Sequence, residues 1–193
     1  GVRQFETWSD IGFRQAIDSS SLYREVVRVR KALREENNSQ LRARLESLTK
    51  VLEEAERLNR ALRLGVASPK MVGLLNDWTL ADEDRPVLGF EALHAYLVMA
   101  GARFKRSPST KFNWHEQRGL EALLRRAVDS GELQLNSSEQ VVFTRMGRMG
   151  LMRVLNPLSF IEFKKWATIQ PGRSASQLEQ DRRQVAVVEE LMA

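Results

Sequence analysis

Two stretches in the first third of the chain carry apolar residues at helical spacing. One face of the first stretch holds Leu22, Val26, Val29 and Leu33, and one face of the second holds Leu41, Leu45, Leu48, Leu52, Ala55 and Leu62. The polar run 35–39 separates them, and residues 18–21 (Asp-Ser-Ser-Ser) supply N-caps for the first helix. The pattern predicts an antiparallel helical hairpin over residues 22–62.

The two apolar stripes of this hairpin need a partner, because each buried leucine contributes roughly 1.5–3 kcal/mol. The stripes can pack on each other, on the rest of the chain or on a second copy. Packing within the chain is the favoured interpretation. A homodimer formed through the hairpin is the alternative.

Short elements surround this hairpin. Residues 1–18 mix aromatic and β-branched residues with polar ones, which fits a strand pair or an irregular arm. Gly65 is a C-cap for the second helix, and Ser68-Pro69 opens a third. Residues 87–88 predict a short strand that ends at Gly89, and a helix follows over residues 91–100.

The second half predicts a basic helix over 115–129, a hairpin of strands at 141–144 and 151–155, and helices over 156–166 and from about 176 to the end. This order is typical of an α+β fold in which helices wrap a small mixed β element. We divide the chain into an arm and hairpin (1–65), a core (66–156) and a C-terminal helical segment (157–193).

Charge and composition narrow the possible functions. Hydrophobic residues make up 42% of the chain and charged residues 28%, which indicates a globular protein and excludes disorder. The net charge of +5 favours contact with phosphates of a nucleotide or a nucleic acid. The basic residues are spread along the whole sequence, so a dedicated nucleic-acid surface is the less favoured reading.

Several types of chemistry lack the residues that they need. The chain has no cysteine and two histidines, which excludes disulfides and thiolate metal sites and suits the reducing cytoplasm. It has no apolar run of membrane-spanning length, so we expect no membrane partner. It also has no P-loop, no paired dinucleotide-binding glycines and no nucleophile elbow.

Two regions carry a resemblance. The first is Val87-Leu88-Gly89-Phe90-Glu91-Ala92-Leu93-His94-Ala95-Tyr96, followed by Gly101-Ala102-Arg103-Phe104. The second is Asn156-Pro157-x-x-Phe160-x-x-Phe163-Lys164-x-Trp166, followed by Arg173 and by Asp181-x-x-Gln184. In order and spacing, these motifs resemble a bacterial family of nucleotidyltransferase-fold proteins related to the DNA polymerase β superfamily.

The resemblance implies a nucleotide site with an NTP and Mg²⁺ as cofactors. Gly89 and Phe90 stand where the family holds phosphates with a glycine and a hydroxyl residue, Thr110 matches the family's threonine, and Lys164 matches a lysine that can reach a phosphate. The family's Asp-x-Asp metal pair falls at Phe112 and Trp114, so both acids are missing. We therefore assign no catalytic residue and no metal ligand.

Three further residues have ordinary structural explanations. Asp181, which neighbours Arg182 and Arg183, is interpreted as a member of surface ion pairs. Glu91 is expected to interact with the N-terminus of the helix that it begins, and His94 to be a core histidine. For Lys164, a side chain extending past an aromatic ring to solvent competes evenly with a phosphate contact.

Two functions remain open. The first is a nucleotidyltransferase-fold protein whose ancestral activity transfers a nucleotide from an NTP to an unknown acceptor, in a form that lacks its metal ligands. The second is a non-catalytic interaction module, which binds a protein or a nucleic acid through the hairpin and a basic surface.

Overall fold

A computed structural model describes residues 5–7, 10–62, 66–105 and 112–193, with side chains from Asp18 onward. The helices are α1 (Asp10–Glu35), α2 (Ser39–Leu62), α3 (Pro69–Leu80), α4 (Ala92–Met99), α5 (Trp114–Asp129), α6 (Pro157–Thr168) and α7 (Ala175–Met192). The strands are β1 (Phe5–Thr7), β2 (Val66–Ala67), β3 (Ala102–Phe104), β4 (Ser137–Thr144) and β5 (Met149–Leu155). The fold is α+β, as the sequence predicted.

Two small sheets lie among the helices. In the three-stranded sheet, β4 is central, pairing parallel with β2 and antiparallel with β5. The strands β4 and β5 form the hairpin predicted for this part of the chain, with Val141 opposite Leu151. The second sheet pairs β1 antiparallel with β3.

The predicted N-cap at residues 18–21 is wrong, because α1 begins at Asp10 and runs through this segment. Serine is unfavourable inside a helix when its hydroxyl hydrogen-bonds to nearby backbone groups, because that bond offers the backbone an alternative to the helix. The Ser19 hydroxyl lies 3.2–3.3 Å from the side-chain amide of Asn59 on α2, and both residues are buried. A contact across the hairpin therefore satisfies the polar group that would otherwise favour a helix end.

The hairpin packs within the chain. Tyr23, Val26 and Val27 of α1 and Leu52 and Ala55 of α2 are buried in one cluster. The same cluster contains four residues of the β4–β5 hairpin: Val141, Phe143, Met149 and Leu151. The favoured packing is thereby observed, while homodimer formation remains a prediction.

The predicted strand at residues 87–88 is also wrong, although the backbone lies beside the sheet. The Val87 N–H donates to the Arg153 carbonyl at 2.8 Å. On the other side, the Gln117 side chain of α5 accepts from the Leu88 N–H at 3.1 Å and donates to the Pro86 carbonyl at 2.7 Å. One glutamine amide thus makes the contacts that a neighbouring strand would make.

Side-chain caps are present at the starts of α3 and α7. Ser68 caps α3 by accepting from the Met71 N–H, and Pro69 follows at the first helical position. Ser174 and Gln177 form a capping box at the start of α7. Gly65 lies outside the described residues. No helix in the described ranges has the length and apolar character that crossing a membrane requires.

Candidate functional site

Gly89 lies in a buried turn that leads into α4. The Ala92 N–H donates to the Gly89 carbonyl at 3.2 Å, which begins the helix. A Cβ added at Gly89 would lie 3.0 Å from Oε2 of Glu91. The space beside the glycine therefore contains a carboxylate of the protein itself, which would repel an approaching phosphate.

Phe90, next to Gly89, packs against aromatic neighbours. Its ring stacks on that of Phe104 with centroids 5.8 Å apart and an interplanar angle of 14°. The His94 ring meets both edge-on, at 6.2 Å from Phe90 and 5.7 Å from Phe104. Phe90 thus contributes an apolar contact where the resembling family has a hydroxyl group.

Glu91 is buried at the N-terminal end of α4 and makes no side-chain capping bond there. Burial raises the pKa of its carboxyl, and the negative charge of Glu116 adds to this rise. The N–H groups of Glu91 and Asn113 and the charge of Lys164 act in the opposite direction. Gly89, Glu91, Glu116 and Lys164 therefore share one region, although more than 70 residues separate its first and last members.

Lys164 is fully buried, so of its two evenly weighted interpretations the one in which its ammonium group extends to solvent is wrong. Its Nζ lies 2.7 Å from Oδ1 of Asp181, and neither side chain is exposed. Burial lowers the pKa of Lys164, while Asp181 opposes this change by stabilising the ammonium form. The Nζ atom also lies 5.4 Å from the ring centroid of Phe160.

Asp181 is fully buried, so its assignment to the helix surface is wrong. Arg173 donates a hydrogen bond to its second oxygen, Oδ2, and also approaches Glu116 at 3.5 Å. Asp181 thus receives hydrogen bonds from two cations, one on each carboxylate oxygen. We call Glu91, Glu116, Lys164, Arg173 and Asp181 the buried charge network.

Aromatic rings stand where the resemblance implies a metal pair. Phe112 and Trp114 pack edge-on with centroids 4.8 Å apart, and both meet Trp78 edge-on, at 6.2 and 5.8 Å. Between them, Asn113 caps α5 by accepting from the Glu116 N–H at 3.1 Å. Thr110 lies outside the described residues.

The residues in this region do not fit Mg²⁺ or a nucleoside triphosphate. The two positions that should carry metal-binding carboxylates carry rings, and the cation that should meet a phosphate pairs with Asp181. Across residues 18–62, 66–105 and 112–193, no three histidine or acidic side chains form a group that could hold a metal ion.

His94 is a core histidine, as expected. It is 3% exposed, and burial lowers its pKa to about 4. Its Nδ1 atom has no hydrogen-bond partner among the described residues. Because the buried ring packs edge-on against the stacked Phe90 and Phe104, we assign it a packing role.

A second region emerges only in three dimensions. Arg30 on α1, Arg60 on α2 and Arg148 in the β4–β5 turn lie close enough to Glu56 for their charges to lower its pKa. Burial of the Glu56 carboxyl outweighs them, so that pKa is raised overall. Arg145 belongs to the same turn. We call Arg30, Arg60 and Arg148, whose charges act on Glu56, together with Arg145 of the same turn, the arginine face.

The turn of the arginine face is held against α2 by a glycine. A Cβ at Gly147 would lie 1.9 Å from the Glu56 carbonyl oxygen, so only glycine allows this approach. The turn is closed by bonds from the Thr144 N–H to the Arg148 carbonyl at 2.8 Å and from the Gly147 N–H to the Thr144 carbonyl at 2.9 Å. The arginines of the turn therefore project from a fixed backbone.

Sequence reasoning missed the arginine face because its members lie on three elements. The usable signal was the Arg-Met-Gly-Arg turn at residues 145–148, in which two arginines flank a glycine between two predicted strands. Their proximity to Arg30 and Arg60 depends on how the hairpin α1–α2 packs on the sheet.

Comparisons with protein-family models, curated proteins and solved structures found no match to this chain. Functional assignment therefore depends on the residues and geometry described above.

Proposed function

We propose that this chain is a non-catalytic interaction module, which binds its partner through its outer surface. One observation carries the proposal: the positions that nucleotidyltransferase chemistry would use are filled by the protein's own side chains. A carboxylate of Glu91 lies beside Gly89, and Asp181 holds Lys164 at 2.7 Å.

The buried charge network supports this proposal because it is nearly neutral without a ligand. Three acids (Glu91, Glu116 and Asp181) face two cations (Lys164 and Arg173). An added triphosphate would have to break the pair Lys164–Asp181, which would remove one of the two cations that compensate the buried Asp181 carboxylate.

Nucleotide transfer is the competing function. It is favoured by the extended segment, glycine turn and helix that surround Gly89, and by the placement of Lys164 in the same region. It requires metal ligands at the positions of Phe112 and Trp114, where rings now pack. We therefore place it second.

The test is a thermal-shift measurement of the whole chain with each of the four NTPs, with and without Mg²⁺, alongside an assay for incorporation of labelled nucleotide. We expect no magnesium-dependent stabilisation and no incorporation. The variant Arg145→Ala/Arg148→Ala serves as control, because a triphosphate could also bind to exposed arginines. Magnesium-dependent stabilisation that persists in this variant, or any incorporation, would overturn the proposal.

A further inference from the structure

We propose that the arginine face binds the phosphate backbone of a nucleic acid. This inference rests on the proposed interaction role and names its partner. Guanidinium groups bind phosphate oxygens through paired N–H donors, and several of them on one surface can follow a row of phosphates.

The guanidinium groups of the arginine face are available to bind a partner. Arg30, Arg60, Arg145 and Arg148 form no ion pair and no side-chain hydrogen bond within the described part of the chain. Many other cations are neutralised locally; those paired with carboxylates are Arg28, Lys31, Arg44, Arg85, Arg153, Lys164, Lys165, Arg173 and Arg183.

The arginine face is accessible and has a rigid backbone support. Arg60, Arg145 and Arg148 are exposed and Arg30 is half-buried, and the backbone of the turn is fixed by the close approach of Gly147 to α2. A rigid support reduces the entropy lost when a side chain binds. Three separate elements contribute, so the positive surface is broader than a single helix stripe.

The side chains of the arginine face favour a nucleic acid over a protein or a membrane as the partner. The large apolar side chain that the turn exposes is Met146, at 58%. A protein interface would bury an apolar core, and a peripheral membrane site would insert several apolar side chains. A face made of arginines fits contacts to the phosphate backbone, which do not depend on base sequence.

The carboxylate of Glu56 places a negative charge within the arginine face. It faces Arg30 from α1, Arg60 and Glu53 from α2, and Arg148 from the turn, and Tyr23 of α1 also lies within electrostatic range. Protonation of Glu56 would raise the charge of the face by one unit. Binding should therefore strengthen as the pH falls from neutrality.

The experiment measures fluorescence anisotropy of a labelled 20-base-pair DNA duplex and a matching RNA duplex across a salt series. Arg145→Ala/Arg148→Ala should weaken binding by about tenfold or more near 0.1 M salt and reduce the salt slope by about 2. Arg118→Ala/Arg125→Ala removes the same charge from exposed positions on α5 and should change affinity by less than about threefold. Circular dichroism confirms that both variants are folded.

Glu56→Gln provides an independent variant. It should tighten binding several-fold at pH 7.5 and reduce the strengthening that the wild-type chain shows on acidification. Equal losses in the two arginine pairs, or no binding of either duplex, would overturn the inference. So would vesicles of phosphatidylserine and phosphatidylcholine that compete better than the duplex. The NTP measurement does not depend on duplex binding. Failure of the nucleic-acid inference can therefore be distinguished from failure of the proposed interaction role.

Discussion

Buried polar residues show how far a side chain's role can differ from its sequence context. Asp181 is followed by Arg182 and Arg183, a pattern typical of a solvated helix face. It is nevertheless fully buried, because α6 and α7 pack together and bring Lys164 to 2.7 Å. Desolvating such charges is costly, and the cost is offset only because both carboxylate oxygens of Asp181 accept from cations.

His94 yields a prediction about acid stability. Its pKa is about 4 in the folded chain and ordinarily 6.5, so the unfolded chain binds this proton more readily between those values. The stability that the neutral ring contributes is complete above pH 6.5 and is lost as the pH falls toward 4. The loss amounts to at most roughly 3 kcal/mol in the free energy of unfolding.

Urea denaturation from pH 7 to pH 4.5 of the wild-type chain and of His94→Gln measures this loss. The carboxyl groups titrate in both proteins, so the difference between the two curves isolates His94. We expect the wild-type curve to fall more steeply with acid. Parallel curves would show that burial of His94 does not control its protonation.

Among the secondary structure elements, the β4–β5 hairpin depends on one glycine. Gly147 has φ of +83° and lies against the α2 backbone, whereas Gly131 has φ of +73° with open space where its Cβ would stand. Gly131→Ala should cost about 1–2 kcal/mol from backbone conformation alone. Gly147→Ala should cost about 1–3 kcal/mol more, because the added methyl overlaps the Glu56 carbonyl.

The two glycine variants form a matched pair, since both substitute alanine at positive φ. Their urea midpoints, measured by circular dichroism, report the difference directly. Equal destabilisation would mean that the turn shifts away from α2 at no cost, and that Gly147 does not fix the arginine face.

The predicted strand at residues 87–88 shows why a short strand is difficult to predict from sequence. Its apolar residues and the glycine that follows are typical of a strand, and the backbone does bond to the Arg153 carbonyl. A strand also needs a partner with a continuous ladder. Here the Gln117 side chain takes the place of a second neighbouring strand. No sequence pattern marks a glutamine on a helix as the partner of an extended backbone.

For the whole molecule, the shared apolar cluster predicts that the hairpin and the sheet unfold together. Leu52 of α2 lies in one cluster with Phe143 and Met149 of the sheet. Leu52→Ala should lower the free energy of unfolding by about 2–4 kcal/mol. Circular dichroism, to which α1 and α2 contribute strongly, and tryptophan fluorescence should show one coincident transition.

Val51→Ala is the control for this measurement, because its side chain is 49% exposed on the same helix. It should change stability by less than about 0.5 kcal/mol. Separate transitions for the two signals would indicate that the hairpin is an independent unit, in line with a boundary near residue 65.

The sequence by itself determined the α+β class, the long hairpin, the β4–β5 pair and most of the later helices. These depend on local periodicity, capping residues such as Ser68 and turn glycines, which act over a few residues. It also placed His94 in the core, because that residue stands within an almost wholly apolar helix.

Only the tertiary structure decided which charges are buried and which remain exposed. The bond between Lys164 and Asp181, the carboxylate beside Gly89 and the convergence of Arg30 and Arg60 with the β4–β5 turn all join distant segments. Electrostatic energy depends on distance and desolvation, and neither follows from spacing along the chain. For this reason the elements could be predicted, whereas the buried charge network and the arginine face could not.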